Sequence, residues 1–446
     1  MSRGSLSRRA YAAALFLAAA GLVAGGVPAQ AAPVSAGSTP VSTAGGFQSF
    51  SGFLTEVAGH GYADYAKAGR TGAVTSSASF EQMRSYVLDA YRGVVVDHSY
   101  VDNGSYFDCV RTETQPSVRD LGIKQLATPP APQAAGTPKD AVPATQTANA
   151  GRLDAYGNST VCGAGTIPMQ RLSIERLTAY PTLAGFLAKG PAGSNPSAST
   201  DRASTNGSST NANAHRYGVG YQYVNNHGGN SWLNLWNPSG EFTLSQQWYV
   251  DGSQTVEGGW VHYPGKFGNN AVLFIFWTPD NYVHGCYNLD CSGFVQTSSA
   301  FTLGGAWSNY STSGGGQYGF GLQWKYYAGN WWLYIQGTAI GYYPGTIYGT
   351  GNMRYGNATL AEAGGETYTG GTNWPQMGSG SWPSSGWTYA AYQNTVFYID
   401  RSDVSQWSVL NSIITNPACY SISITPWQSG GSWGTYFYYG GPGGYC

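Results

Sequence analysis

The rhythm of apolar and polar positions changes once along the chain, near residue 215. Before that point a helical period shows in two short places. Phe80, Met83, Val87 and Tyr91 recur at three- and four-residue spacing, and Ser79-Phe80-Glu81-Gln82 has the spacing of a capping box, which predicts a helix opening at Ser79. Ile174, Leu177 and Tyr180 repeat the pattern from Ser173 until Pro181 interrupts it. Between them, Thr128 to Thr147 is rich in Ala and Pro and is expected to have no fold of its own, because it offers too little apolar surface to bury. Gly190 to Ala214 is a Gly, Ser, Thr, Asn and Pro run, predicted to be a solvated linker.

After residue 215 the period is two. Leu233 to Trp236, Thr243 to Val250 and Val272 to Trp277 alternate, and Trp331 to Gln336 and Thr395 to Ile399 are rich in aromatic and β-branched residues. Turn signals such as Asn237-Pro238-Ser239-Gly240, Asp251-Gly252 and Pro279-Asp280-Asn281 follow at short intervals, and no helical period lasts three turns. Many short strands joined by Gly-rich turns predict an all-β sandwich or barrel, and about 230 residues suit one large antiparallel sandwich, preceded by a small mixed α/β region.

Composition sharpens that division. All fifteen Trp lie between Trp232 and Trp433, and from His215 onward the only basic residues are Arg216, Lys266, Lys325, Arg354 and Arg401. A net charge of −1 gives no global field for nucleic acid or an anionic membrane surface. Arg3, Arg8 and Arg9, the apolar run Ala10 to Val27 and the Ala29-Gln30-Ala31 exit have the form of a secretory signal peptide, so an exported, extracellular protein is expected. Six cysteines in an exported chain predict three disulfides, paired in chain order as Cys109–Cys162, Cys286–Cys291 and Cys419–Cys446.

Candidate chemistry is sparse enough to weigh residue by residue. The Asp residues after His215 (Asp251, Asp280, Asp290, Asp400 and Asp403) mostly sit in turn-like settings, and Glu241 follows a turn. That leaves Glu257 beside Gly258-Gly259, and Glu362 and Glu366 around Gly364-Gly365. Paired glycines in a strand mark a place where another backbone or a ligand comes close. Two carboxylates in one such place share a proton and can act as an acid/base pair on water and a leaving amine. The plainer reading makes each Glu a solvent-facing strand residue. Gly430-Gly431-Ser432-Trp433-Gly434 fits G-x-S-x-G, but no helix follows it. His215, His227, His262 and His284 form no zinc signature, and no metal or cofactor is expected. Trp331-Trp332 and Tyr342-Tyr343-Pro344 suit a sugar-stacking platform as well as a core, so a binding module ranks level with an enzyme on residue types alone.

The order of motifs goes further. Phe242-Thr243-Leu244-Ser245-Gln246-Gln247-Trp248, Val256-Glu257-Gly258-Gly259-Trp260 and the run Gly285-Cys286-Tyr287-Asn288-Leu289-Asp290-Cys291-Ser292-Gly293-Phe294-Val295-Gln296 resemble the neprosin domain in sequence and spacing. So do Gly364-Gly365-Glu366, Gln376-Met377-Gly378-Ser379-Gly380 and the stretch Gly434 to Gly443. Asp108-Cys109-Val110 and Cys162 to Pro168 are similar to that family's activation segment. The resemblance implies a two-sheet antiparallel β-sandwich, and a secreted endopeptidase that cuts after proline, uses Glu257 and Glu366 without a cofactor, and is held latent by its own N-terminal segment. Glu362 is the understudy, and Gln246, Gln296, Gln376 and Tyr343 are candidates to orient the scissile carbonyl. Ala363 replaces an expected Trp, and the loop Asp251 to Thr255 is short, which bears on substrate preference.

The expected organisation is a signal peptide over 1–31, an inhibitory segment over 32–190, a linker over 191–214 with processing after Pro191 or Pro196, and a peptidase domain over 215–446. The enzyme is expected to work in acid, as a monomer, on proline-containing proteins. The rivals are a non-catalytic sugar- or peptide-binding sandwich and a structural cell-surface domain. Whether Glu257 and Glu366 meet across one groove discriminates among them.

Overall fold

In the computed structural model, residues 46–133, 141–196 and 215–446 are described; the expected signal peptide, 1–31, and the part of the expected linker from 197 to 214 lie outside them. The N-terminal part holds α1 (Phe50–Gly59), α2 (Tyr62–Lys67), α3 (Ser77–Ala90), β1 (Val96–Asp102), β2 (Ser105–Arg111), α4 (Pro116–Asp120), β3 (Val142–Pro143), β4 (Thr166–Gln170), α5 (Ile174–Thr178) and α6 (Leu183–Leu187). Helix α3 starts before the expected Ser79: Ser76, in extended backbone, accepts the Ser79 N–H and takes the cap first, and Phe80, Met83 and Val87 are buried as the period requires. Ser173 caps α5 as expected. Strands β1, β2 and β4 form a three-stranded antiparallel sheet, pinned by Cys109–Cys162 and by a buried Arg171–Asp108 pair.

The described ends of the Ala/Pro-rich stretch, 128–133 and 141–147, are docked on the sandwich. Leu126 and Ala127 pack on the sandwich, and β3 pairs in parallel with the start of a sandwich strand, Val142 beside Tyr318 and Pro143 beside Gly319. Borrowed partners, rather than its own apolar surface, hold it.

The remainder is the expected sandwich. Its strands are β5 (Arg216–Asn226), β6 (Gly228–Asn234), β7 (Phe242–Asp251), β8 (Gln254–His262), β9 (Val272–Thr278), β10 (Cys286–Tyr287), β11 (Val295–Gln296), β12 (Tyr318–Tyr327), β13 (Asn330–Ile335) and β14 (Thr338–Pro344). They continue with β15 (Ala358–Tyr368), β16 (Ala391–Ile399), β17 (Ser405–Trp407), β18 (Asn411–Ile414), β19 (Ser421–Thr425) and β20 (Tyr436–Gly440), and a single short helix, α7 (Pro264–Phe267), intervenes after β8. The front sheet runs β10-β9-β8-β7-β15-β5-β18, and the ten-stranded back sheet runs β11-β14-β13-β12-β6-β16-β20-β19 with β17 and β3 attached. Between them Trp324 stacks on Tyr343 and Trp307 on Phe320, which accounts for much of the aromatic content. All three expected disulfides form, consistent with an extracellular protein. From Phe47 to Cys446 the chain packs as one unit, so the N-terminal part is built onto the sandwich.

Candidate active site

Strand alternation decides what the outer face of the front sheet carries. Glu257 on β8 lies opposite Trp248 on β7, and Trp248 lies opposite Glu362 on β15, so the three share a face. Glu366, four residues beyond Glu362, shares it too, as does Gln246. Gly258 and Gly365 point the other way: a Cβ on Gly258 would meet Leu322 and Trp324, and one on Gly365 would meet Met377 and Tyr439, all in the core. Their partners Gly259 and Gly364 flank Gln246 in one cross-strand row on the outer face. That row carries a single side chain and forms the floor of a groove across the strands.

Glu257 and Glu366 meet across this groove. Both are fully buried, against the plainer expectation of solvent-facing strand residues. The ammonium of Lys189, from the segment after α6, bridges them: Nζ donates to Glu257 Oε2 and lies 3.2 Å from Glu366 Oε2. Thr255 Oγ1 and Tyr282 Oη donate to the other oxygen of Glu257, at 2.8 and 2.7 Å. Gln246 Nε2 donates to Glu366 Oε2 at 3.2 Å, and His215 Nδ1 lies 2.5 Å from Glu366 Oε1. Lys189 Nζ also stands 5.3 Å from the Trp248 ring and 5.6 Å from the Tyr282 ring. Tyr282 is held at φ 66°, a left-handed conformation unfavourable for a bulky residue, and its N–H is caught by Thr278 Oγ1 at 2.8 Å.

Residues 191–196, expected to be solvated linker, instead close the groove. Pro191–Gly193 makes a 3₁₀ turn, Pro191 and Pro196 are buried, Tyr287 Oη donates to the Lys189 carbonyl at 2.7 Å, and Asn195 Nδ2 donates to the Tyr282 carbonyl at 2.9 Å. Burial pushes the Tyr287 hydroxyl far above the ordinary tyrosine range, and Glu366 and Glu257 nearby push the same way, so it stays a donor. Gly190 gives room here, because a Cβ would stand 2.7 Å from Nε2 of the buried His215 ring as well as against Ser194 Oγ. Behind this turn, Arg176 Nη2 reaches Asp290 Oδ1 at 3.1 Å, and Lys266 Nζ lies 3.3 Å from Asp290 Oδ2 beneath the Phe186 ring.

Of the other candidates, Gln246 alone touches a carboxylate. Gln296 donates to Ser298 and Phe301 carbonyls at the edge of the back sheet. Tyr343 stacks in the core between the sheets, on the far side of β8. Gln376 sits half-buried in the loop after β15, against Gly380. Gln296 and Gln376 lie in motifs similar to the family's, but alternation gives only a residue's face within a strand, not the layer it meets. Ala363 faces the core, so its departure from the expected Trp does not alter the groove lining. Sequence reasoning missed Lys189, Trp248, Tyr282, Thr255 and His215. The signal for Lys189 was a lone cation, beside Gly190-Pro191, in an otherwise uncharged run. Among the described residues no cluster of three or more His, Cys, Asp and Glu forms a metal site.

A profile of the neprosin family matches residues 239–442, from the turn before β7 to just past the end of β20, and includes both carboxylates. Among solved structures, CG-16, a homodimeric agglutinin from chicken liver, aligns over 33% of this chain and 90% of its own, at 10% identity and a TM-score of 0.19, too slight an overlap to argue from.

Proposed function

We propose that this chain, which carries over residues 239–442 the domain of the neprosin family of peptidases, is the secreted, latent precursor of a glutamic endopeptidase that cuts on the C-terminal side of proline. One observation carries the reading: two buried carboxylates on the floor of a glycine-lined groove, joined by one ammonium from the chain's own N-terminal part.

In the free enzyme a water takes the place of Lys189 Nζ. Glu257, with one oxygen engaged by Thr255 and Tyr282, has Oε2 left to accept that water's proton as the oxygen attacks the scissile carbonyl carbon. Glu366, oriented by Gln246, starts protonated and gives its proton to the carbonyl oxygen. As the tetrahedral intermediate collapses, Glu366 recovers a proton from the new hydroxyl and Glu257 passes its own to the leaving nitrogen. One water is consumed, and the pair ends with the single proton it began with. Acid suits this cycle, because a singly protonated pair is populated there. The Trp248 and Tyr282 rings, which now flank an ammonium, offer apolar walls to a proline ring. Residues 32–190 are the inhibitory segment and 215–446 the peptidase. Processing after Pro191 or Pro196 requires the turn to come away first, since both prolines are buried in the closed form.

The test is digestion of proline-containing proteins between about pH 3 and 7, with cut sites read by mass spectrometry. The unsubstituted protein is expected to cut after proline. Glu257→Gln and Glu366→Gln, near-isosteric, should each lose at least about 10²-fold in turnover with the fold retained. Near-full activity in both variants sinks the two-carboxylate mechanism.

A further inference from the structure

The outer face of the back sheet bears an aromatic cluster with no part in the groove. Trp332 on β13, Tyr342 on β14 and Val295 on β11 lie in one cross-strand row, and Tyr334 stands two residues along. All four are buried, because the N-terminal part is laid over them: Val118, Ile123, Leu126 and Ala127 pack on this cluster. The strap then continues as Thr128-Pro129-Pro130-Ala131-Pro132-Gln133. Proline fixes its own φ and forces the residue before it into extended backbone, so this strap is extended before it meets the sheet.

The sheet grips the strap by its main chain. Tyr342 Oη accepts the Ala127 N–H at 3.2 Å. Tyr334 Oη donates to the Pro130 carbonyl at 2.6 Å. The Gln323 side chain accepts the Gln133 N–H at 3.0 Å and donates to the Gln133 carbonyl at 3.4 Å. Trp332 Nε1 is buried without a hydrogen-bond partner among the described residues. Pro130 is half-buried and Pro129 and Pro132 are exposed, so the prolines serve the contact by holding the strap extended, with little ordering entropy to overcome, while the hydroxyls and rings of the sheet take its main chain and the apolar residues ahead of it.

We propose that this face is a second binding site, for extended proline-rich polypeptide, and that the strap occupies it in the precursor. The inference rests on the reading that the N-terminal part leaves the β domain: once it does, the face is free to hold a proline-rich substrate away from the groove.

The test keeps the full chain and takes catalysis out of the question. In a Glu257→Gln background, the strap is altered in two ways, Pro129, Pro130 and Pro132 each to Ala in one variant and residues 126–133 to a Gly/Ser run in the other. A labelled peptide of residues 124–133 is titrated in trans and followed by fluorescence anisotropy. Saturable binding to either altered chain, at least tenfold tighter than for the same peptide with its prolines replaced by alanine, is expected, with little binding to the chain whose strap is intact. Adding Tyr334→Phe and Tyr342→Phe should weaken binding at least tenfold. Equal binding of the proline-free peptide, no loss in the Phe pair, or equal displacement by a neutral oligosaccharide overturns the proposal. Because the probe is bound and not cut, failure here leaves the peptidase reading untouched, and failure of the digestion test leaves this one standing.

Discussion

In the proposed precursor, latency turns on Lys189. A fully buried ammonium bridging two buried carboxylates offsets negative charge on both. Removing one partner of such a buried group typically costs about 3–5 kcal/mol, and here that cost falls on the closed precursor. Full-length Lys189→Met is therefore expected to hydrolyse a short proline peptide just above about pH 5, where the unsubstituted precursor is silent and the freed enzyme still works; initial rates on both check this. A silent variant means that the turn at Gly190–Ser194 blocks the groove by shape alone. Glu257 and Glu366 were legible as candidates because Glu is rare after His215 and each adjoins paired glycines. Their meeting through Lys189 was not legible, since it depends on a contact made across 68 residues of chain.

At the scale of the strand, the floor of the groove depends on glycine. A Cβ on Gly259 would stand 1.9 Å from the Ser245 carbonyl oxygen and 2.7 Å from the Gln246 Cα, both fixed backbone of β7. Gly259→Ala must push β7 and β8 apart, at about 1–3 kcal/mol by analogy with overpacked cores. Its thermal midpoint should fall by several degrees, while Gly163→Ala, where a Cβ meets nothing within 4 Å, leaves the midpoint unchanged. The strands themselves could be read from alternation: β7, β9 and β13 fall within a residue or two of the expected runs. Their order could not, because β15 pairs between β7 and β5 only after more than a hundred residues of intervening chain. The start of α3 slipped by three residues because several serines competed for one cap.

Across the whole molecule, closure depends on pH through two sets of groups with different windows. Burial beneath Phe186 lowers Lys266 from its ordinary 10.5 to about 8, against the pull of Asp290. The closed form thus binds fewer protons than the open form between those values. Its stability rises with pH through that window and is flat below about 8. Denaturant midpoints taken across that range should show the rise, and Lys266→Met should remove it. Loosening in acid is expected from elsewhere: the N-terminal part is held by the pairs of Lys189 with Glu257 and Glu366 and of Arg176 with Asp290, and a pair loses its attraction when its carboxylate is neutralised. Precursor brought below about pH 5, the upper range for interacting carboxylates, is expected to mature itself. N-terminal sequencing should find new ends after Pro191 or Pro196, and none in Glu257→Gln.

The N-terminal part touches both outer faces of the sandwich, with Lys189 in the groove in front and the Leu126–Gln133 strap and β3 behind. Acid acts on the front, where the charges are; the strap is held by neutral hydrogen bonds and rings, which acid leaves intact. Release should therefore come in two stages separated in time. A freshly acidified sample would first digest short peptides, which need only the groove, and after a lag would digest long proline-rich polymers, which profit from the face behind. The interval between the two progress curves is the lifetime of a half-opened molecule, a small-peptide enzyme before it becomes one for polymers.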